Sequence, residues 1–94
     1  MCRNIRVLYN FDPPTTPDEI RAAALQYVRK VTGLNKPSEA DHVVFEDAVR
    51  EVAAVTERLV RGLTARAPTR TREGEREKAR ARWVSREARA GRRA

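Results

Sequence analysis

Along residues 5 to 11 the large apolar side chains fall on every second position, Ile5, Val7, Tyr9 and Phe11, with Arg6, Leu8 and Asn10 between them. That is the period-two pattern of a half-buried strand. The same residues also form a helical face through Ile5, Leu8 and Phe11, and a segment this short does not decide between strand and helix. Either way one side is apolar. Pro13 and Pro14 end the segment, because neither has an N–H to donate and Asp12, standing before a proline, is kept away from helical angles.

The next stretch, "TPDEI", predicts a helix start. Thr16 is the N-cap, Pro17 takes the first helical position, and Glu19 stands three residues after the cap, where it completes a capping box. Ile20, Ala24, Tyr27, Val28 and Val31 form one stripe at the 3.6-residue period, and Gly33 supplies the stop. Ser38 and Asp41 resemble a second cap, and the chain stays helix-compatible until Gly62, giving a second helix of about 24 residues against about 16 for the first. Its main stripe is Phe45, Ala48, Val52, Val55, Leu59 and Leu63, broadened by Val44, Val49, Ala53 and Val60. Valines at 43, 44, 49, 52 and 55 lower the intrinsic helix propensity, so packing has to hold this helix together.

Unequal lengths carry a prediction. In an antiparallel hairpin the start of the first helix lies opposite about residue 50, which leaves Val55, Leu59, Val60 and Leu63 beyond its reach. The Ile5–Phe11 segment leaves the hairpin at that end and is the nearest apolar cover. It is expected to pack there, with any remainder buried against a second copy of the chain.

From Thr64 onward large apolar residues become scarce. Glu73 with Arg76, Glu75 with Lys78, and Glu77 with Arg80 would support a helix at i,i+3 spacing, while Ala79, Trp83 and Ala88 give only a narrow stripe. Isolated helices of this length are marginal in water. The expected architecture is therefore mainly α. Residues 1–63 form an antiparallel helical hairpin carrying a short extended or turn-like N-terminal segment, and residues 64–94 form a basic tail that is disordered, flexible or a frayed, partial helix.

Charge sharpens this division. The 94 residues carry a net +7, yet residues 1–63 hold nine basic and nine acidic side chains, while residues 64–94 hold eleven basic and four acidic. All of the excess lies in the tail. No apolar run approaches the roughly 20 residues that cross a bilayer, and Arg3 and Arg6 lead into Asn10, Asp12 and two prolines instead of the apolar core of a secretory signal. A cytoplasmic location is expected. The lone cysteine, Cys2, forms no internal disulfide and fits a reducing compartment.

Four stretches in order, "MCRNIR", the F-x-P-P of Phe11 to Pro14, "EIRAAALQYVRKVTG" and "FEDAVREVAAVTERL", resemble a family of short, uncharacterised bacterial proteins, one of the domain-of-unknown-function families. The similarity covers roughly residues 1 to 63. It implies a bacterial, compact, largely helical protein and brings no catalytic or binding residue with it.

Candidate chemistry is sparse. Removal of the initiator methionine would leave Cys2 with a free amine of pKa about 7.7 to 8.0, able to act as base for its own thiol as in N-terminal nucleophile enzymes. Such catalysis also needs an oxyanion site and a pocket, and the plainer reading of Cys2 is a small apolar residue near Ile5. His42, beside Asp41 in a first helical turn, reads as a solvated side chain. One cysteine and one histidine supply half of a zinc site, so no metal and no cofactor are expected. No phosphate-binding, dinucleotide or zinc-protease motif is present. Glu46, Asp47, Glu51 and Glu57 with Arg50, Arg58 and Arg61 read as the solvated face of the second helix, paired as Glu46 with Arg50 and Glu57 with Arg61.

The tail holds the candidate binding residues: Arg70, Arg72, Arg76, Lys78, Arg80, Arg82, Trp83, Arg86, Arg89, Arg92 and Arg93. Arginine neutralises phosphate, binds it bidentately and stacks on bases, and Trp83 can stack on an unpaired base. Three alternatives stand beside nucleic acid. An anionic membrane surface and an acidic protein suit the same charge, and arginine also accumulates in weakly constrained tails with no partner at all. The sequence thus points to a small non-enzymatic protein contacting nucleic acid through its tail. The runner-up is a homodimeric module that docks a protein partner, followed by the Cys2 enzyme. No small-molecule substrate is indicated.

Overall fold

The computed structural model describes residues 5–93. Three α-helices follow one another: α1 (Pro17–Thr32), α2 (His42–Gly62) and α3 (Arg72–Arg93). Among the described residues the only β-type pairing is an isolated parallel bridge between Phe11 and Arg70. Cys2 lies outside the described residues.

The start of α1 forms as its residues dictate. The Thr16 hydroxyl accepts the Glu19 N–H at 3.2 Å, and the Glu19 carboxylate accepts the Thr16 N–H at 2.9 Å, closing the capping box. Asp18 and Glu19 in the first turn and Arg29 and Lys30 in the last complement the helix dipole. Gly33 takes φ 74°, a left-handed conformation unfavourable for a side-chain-bearing residue, and its N–H closes on Arg29 O at 2.8 Å.

The second helix is shorter than its sequence suggests, 21 residues starting at His42. Ser38 does not cap it. Its hydroxyl donates to Asp41 Oδ2 at 3.2 Å, and the Asp41 side chain makes no cap bond, so residues 38–41 are a turn instead of a first helical turn.

The core is small: Ile20, Ala24 and Val28 from α1 with Phe45 and Val49 from α2. Leu25, Ala48, Val52 and Ala53 pack around it. Both helices present an i±4 ridge, Ile20–Ala24–Val28 against Phe45–Val49–Ala53, and side chains in such rows interdigitate. This corrects the expected face of α2. The sequence stripe was broad enough to allow a rotation, and ridge packing turns Val49 and Ala53 inward while Val55, Leu59 and Leu63 remain exposed. Nor does α2 pair Glu46 with Arg50. Glu46 reaches across to Arg21 of α1 at 3.1 Å, Arg50 pairs with Asp47, and Glu57–Arg61 forms as expected at 3.2 Å.

The N-terminal segment departs from its alternating pattern. Ile5 and Val7 are exposed, and Leu8 to Phe11 are half-buried. It does not cover Val55, Leu59 and Leu63. Its backbone is bound elsewhere: Asn10, at φ 63°, accepts the Arg70 N–H at 2.7 Å, and the Asp12 N–H donates to Arg70 O at 3.0 Å. Asn10 Nδ2 adds bonds to Ala67 O and Pro68 O at 3.2 and 3.1 Å, and Arg70 Nη1 donates to Tyr9 O at 2.6 Å. Thr15, which is buried, donates its hydroxyl to Leu8 O, and its own carbonyl accepts from Arg61 Nη2 of α2 at 3.1 Å.

Arg72 closes this clasp. Its guanidinium forks onto Glu19, Nη2 to Oε1 at 2.7 Å and Nε to Oε2 at 3.0 Å, while Nη1 donates to Pro13 O at 2.8 Å and Nη2 to Pro14 O at 3.3 Å. The guanidinium carbon sits 5.3 Å from the centre of the Phe11 ring. A planar fork with five donors satisfies two carboxylate oxygens and two carbonyls at once, which a lysine ammonium cannot reproduce. The Arg72 fork, with the Thr16 N–H next in weight, holds the Glu19 carboxyl at about 2, against an ordinary value of 4.5.

Two outcomes follow from this packing. Val49 has no accessible surface, so Val49→Ala should lower unfolding stability by about 2 kcal/mol, read from urea denaturation, because two methyl groups leave a closed site. Glu19 is depressed in the folded state, so the stability it contributes is complete above its unfolded value of 4.5 and is lost as pH falls toward 2. Urea midpoints across that window should fall more steeply for the native protein than for Glu19→Gln. Equal slopes would show that the fork does not hold in solution.

Candidate nucleic-acid interface

The basic region divides at the clasp. Arg70 and Arg72 face inward to the N-terminal segment and to Glu19, and between them Thr71 starts α3. The Thr71 hydroxyl accepts the Gly74 N–H at 3.0 Å and its carbonyl accepts the Glu75 N–H at 3.1 Å. A Cβ at position 74 would meet Thr71 Oγ1 at 2.9 Å, so a larger residue there would displace the capping hydroxyl. Glu75 is flanked by two cations, Arg70 at 3.3 Å and Lys78 at 3.8 Å. Of the three expected helix-supporting pairs, Glu75–Lys78 is among the ion pairs; Glu73–Arg76 and Glu77–Arg80 are not.

Beyond Lys78 the helix is exposed around its circumference through Gly91. Lys78, Arg82, Arg86 and Arg89 follow at intervals of four, four and three, which places them on one line within an arc of about 80° and over about 16 Å of helix. Glu73, Glu77 and Glu87 fall outside that arc. The acidic residue on the line, Glu75, already has its two cations. Arg76 and Arg80 lie on the adjoining side around Trp83, which is 57% exposed and has Arg80 and Arg86 three residues to either side. Arg92 and Arg93 belong to the last turn of α3. No apolar face accompanies the cationic one, since Trp83 and Val84 point about 100° apart.

Sequence reasoning identified the basic residues and missed the clasp that aims them. Asn10 carried one local signal, because asparagine tolerates the left-handed conformation it adopts. Nothing local marked Arg70 and Arg72 as different from the arginines that follow.

Elsewhere there is little chemistry to assemble. His42 is exposed at the first position of α2. Among the described residues no three His, Cys, Asp or Glu side chains come together in a metal-holding group, and no helix is long and apolar enough to cross a membrane. An open groove of about 460 Å³ at the root of α3 is lined by Asn10, Arg70, Thr71, Gly74, Glu75 and Lys78 among others.

No curated protein and no solved structure matches the chain. A family model does, over residues 1–78, past the 63 that the sequence resemblance reached and far enough to include both Glu19 and Arg72 of the clasp. On that match the chain belongs to the family described as uncharacterized conserved protein (DUF2277).

Proposed function

We propose that the protein binds nucleic acid through the cationic side of α3, with Lys78, Arg82, Arg86 and Arg89 on phosphates, Arg76 and Arg80 flanking them, and Trp83 available to an unpaired base. The observation that carries this reading is the solvent-facing line of four cations at helical spacing with no unpaired carboxylate on it. Successive members stand about 4.5 to 6 Å apart along the axis, so each can meet a different phosphate of one backbone. Arg70 and Arg72 contribute by fixing the root of the helix, and Arg92 and Arg93 extend the charge at its end. A membrane surface is the weaker partner, because interfacial helices bury a broad apolar face and here Trp83 and Val84 diverge.

The test is binding of mixed-sequence single strands and duplexes, followed by fluorescence anisotropy against salt. The logarithm of affinity should fall linearly with the logarithm of salt at a slope of about −3 to −5, as expected for four to six phosphate contacts. Arg82→Ala with Arg86→Ala should flatten that slope by about 1 to 2 on every sequence. Trp83→Ala should weaken single-strand binding by about 1 to 3 kcal/mol and leave the duplex nearly unchanged. Binding that ignores the arginine substitutions would overturn the reading.

A further inference from the structure

The hairpin has one uncovered apolar face. In α1, Tyr27 and Val31 lie on the opposite side of the Ile20–Ala24–Val28 contact line from Arg21; in α2, Val44, Val55 and Leu59 lie on the opposite side of Phe45–Val49 from Glu46. Because Arg21 and Glu46 meet each other, they mark one face of the hairpin and the apolar side chains share the other. With Leu63 these six residues are between 47% and 71% exposed. Their exposure shows that no other described segment lies over them, and among the helices α1 and α2 pack only on each other.

We infer that this face is a two-fold interface between two copies of the chain, built on antiparallel contact of α2 with α2. Three observations single out a second copy as the occupant. The apolar line of α2 and its C-cap residue is Val44, Ala48, Val52, Val55, Leu59 and Leu63, with intervals of four, four, three, four and four, the same read in either direction. A two-fold contact needs that symmetry, because residue i must meet j while j meets i. Turned about the midpoint between residues 53 and 54, it sets Val52 on Val55, small Ala48 on large Leu59, and Val44 on Leu63.

The second observation is charge. Glu51 and Arg58 are both exposed and lie on one side of this line, seven residues apart, and neither has an ion pair among the described residues. The same two-fold brings Glu51 of one copy to within about 3 Å, along the axis, of Arg58 of the other, and does so twice. The third is area. Six side chains exposing on the order of 100 Å² each give roughly 600 Å² a side and about 1,200 Å² in all, the lower end of a specific interface. The first 63 residues carry no net charge, so the bodies approach without repulsion. This interface is independent of what α3 binds.

The test is the mass of the full chain, freed of nucleic acid, by sedimentation velocity at physiological salt over a range of concentrations. A species of twice 10.7 kDa is expected. Leu59→Glu should give a monomer of unchanged helicity by circular dichroism. Glu51→Arg and Arg58→Glu should each raise the dissociation constant about three- to tenfold, and the double variant should return it to near the native value, because the exchanged charges still face each other. A monomer at every concentration, a dimer indifferent to Leu59→Glu, or a double variant no better than the singles would each overturn the interface.

Discussion

The carboxylate of Glu19 is the point on which the arrangement turns. Its oxygens take the Thr16 N–H, which starts α1, and the Arg72 fork, which fixes the first residue of α3. Glu19 and Arg72 are 53 residues apart in sequence, and the two helix starts share the one carboxylate. The local bond closes a loop of a few residues and forms at little entropic cost, whereas the fork requires a long loop to be closed. A carboxylate already oriented by the cap presents both oxygens to Arg72 in a fixed plane, and bidentate pairing depends on that geometry. Disorder at the α1 N-terminus therefore reaches α3 directly. Phe11 beneath the guanidinium and the carbonyls of Pro13 and Pro14 hold the same arginine from the N-terminal side.

So much weight falls on a polar clasp because the apolar core is thin. Five hydrophobic side chains are buried, and four of them, Ala24, Val28, Phe45 and Val49, form the cluster that joins the two helices. Domains usually set two layers around a core, and here a single layer of two helices leaves both of its faces to be dealt with. One carries the Arg21–Glu46 pair and meets water. The other carries valine, leucine and tyrosine. The N-terminal segment does not cover that second face, because the hydrogen bonds of Tyr9, Asn10 and Asp12 tie it to residues 67–70.

What was legible in the sequence was what short-range physics determines. Thr16, Pro17, Glu19 and Gly33 act within a turn of themselves, and each stands where its chemistry placed it. The hairpin also followed, and of the expected α1 stripe Ile20, Ala24 and Val28 are buried while Tyr27 and Val31 are exposed, because the contact line takes only one edge of the stripe. Two features did not. The stripe of α2 is wide enough to present either of two adjacent lines, and the partner ridge, which no single segment encodes, decides between them. Residues 5 to 11 alternate as a strand does, but a strand needs a neighbour to pair along its length, and Arg70 offers a single bridge. The cationic residues of α3 were plain from composition, while the separate roles of Arg70 and Arg72 depend on contacts about 53 to 61 residues distant in the chain.

That separation matters for how α3 presents its charge. Arg70 and Arg72, the basic residues at the root of α3, have acceptors in the N-terminal segment and at Glu19, and Lys78 shares Glu75 with Arg70. The line from Lys78 to Arg89 begins about 9 Å beyond Arg72 and ends about 25 Å beyond it. Screening at physiological salt acts over about 8 Å. Glu19, held at Arg72, therefore lies roughly a screening length or more along the axis from each of those four cations. With Glu75 flanked by Arg70 and Lys78, the field along this side of α3 is set by its own lysine and arginines. The clasp thus anchors a helix whose charge the electrically neutral body does little to diminish.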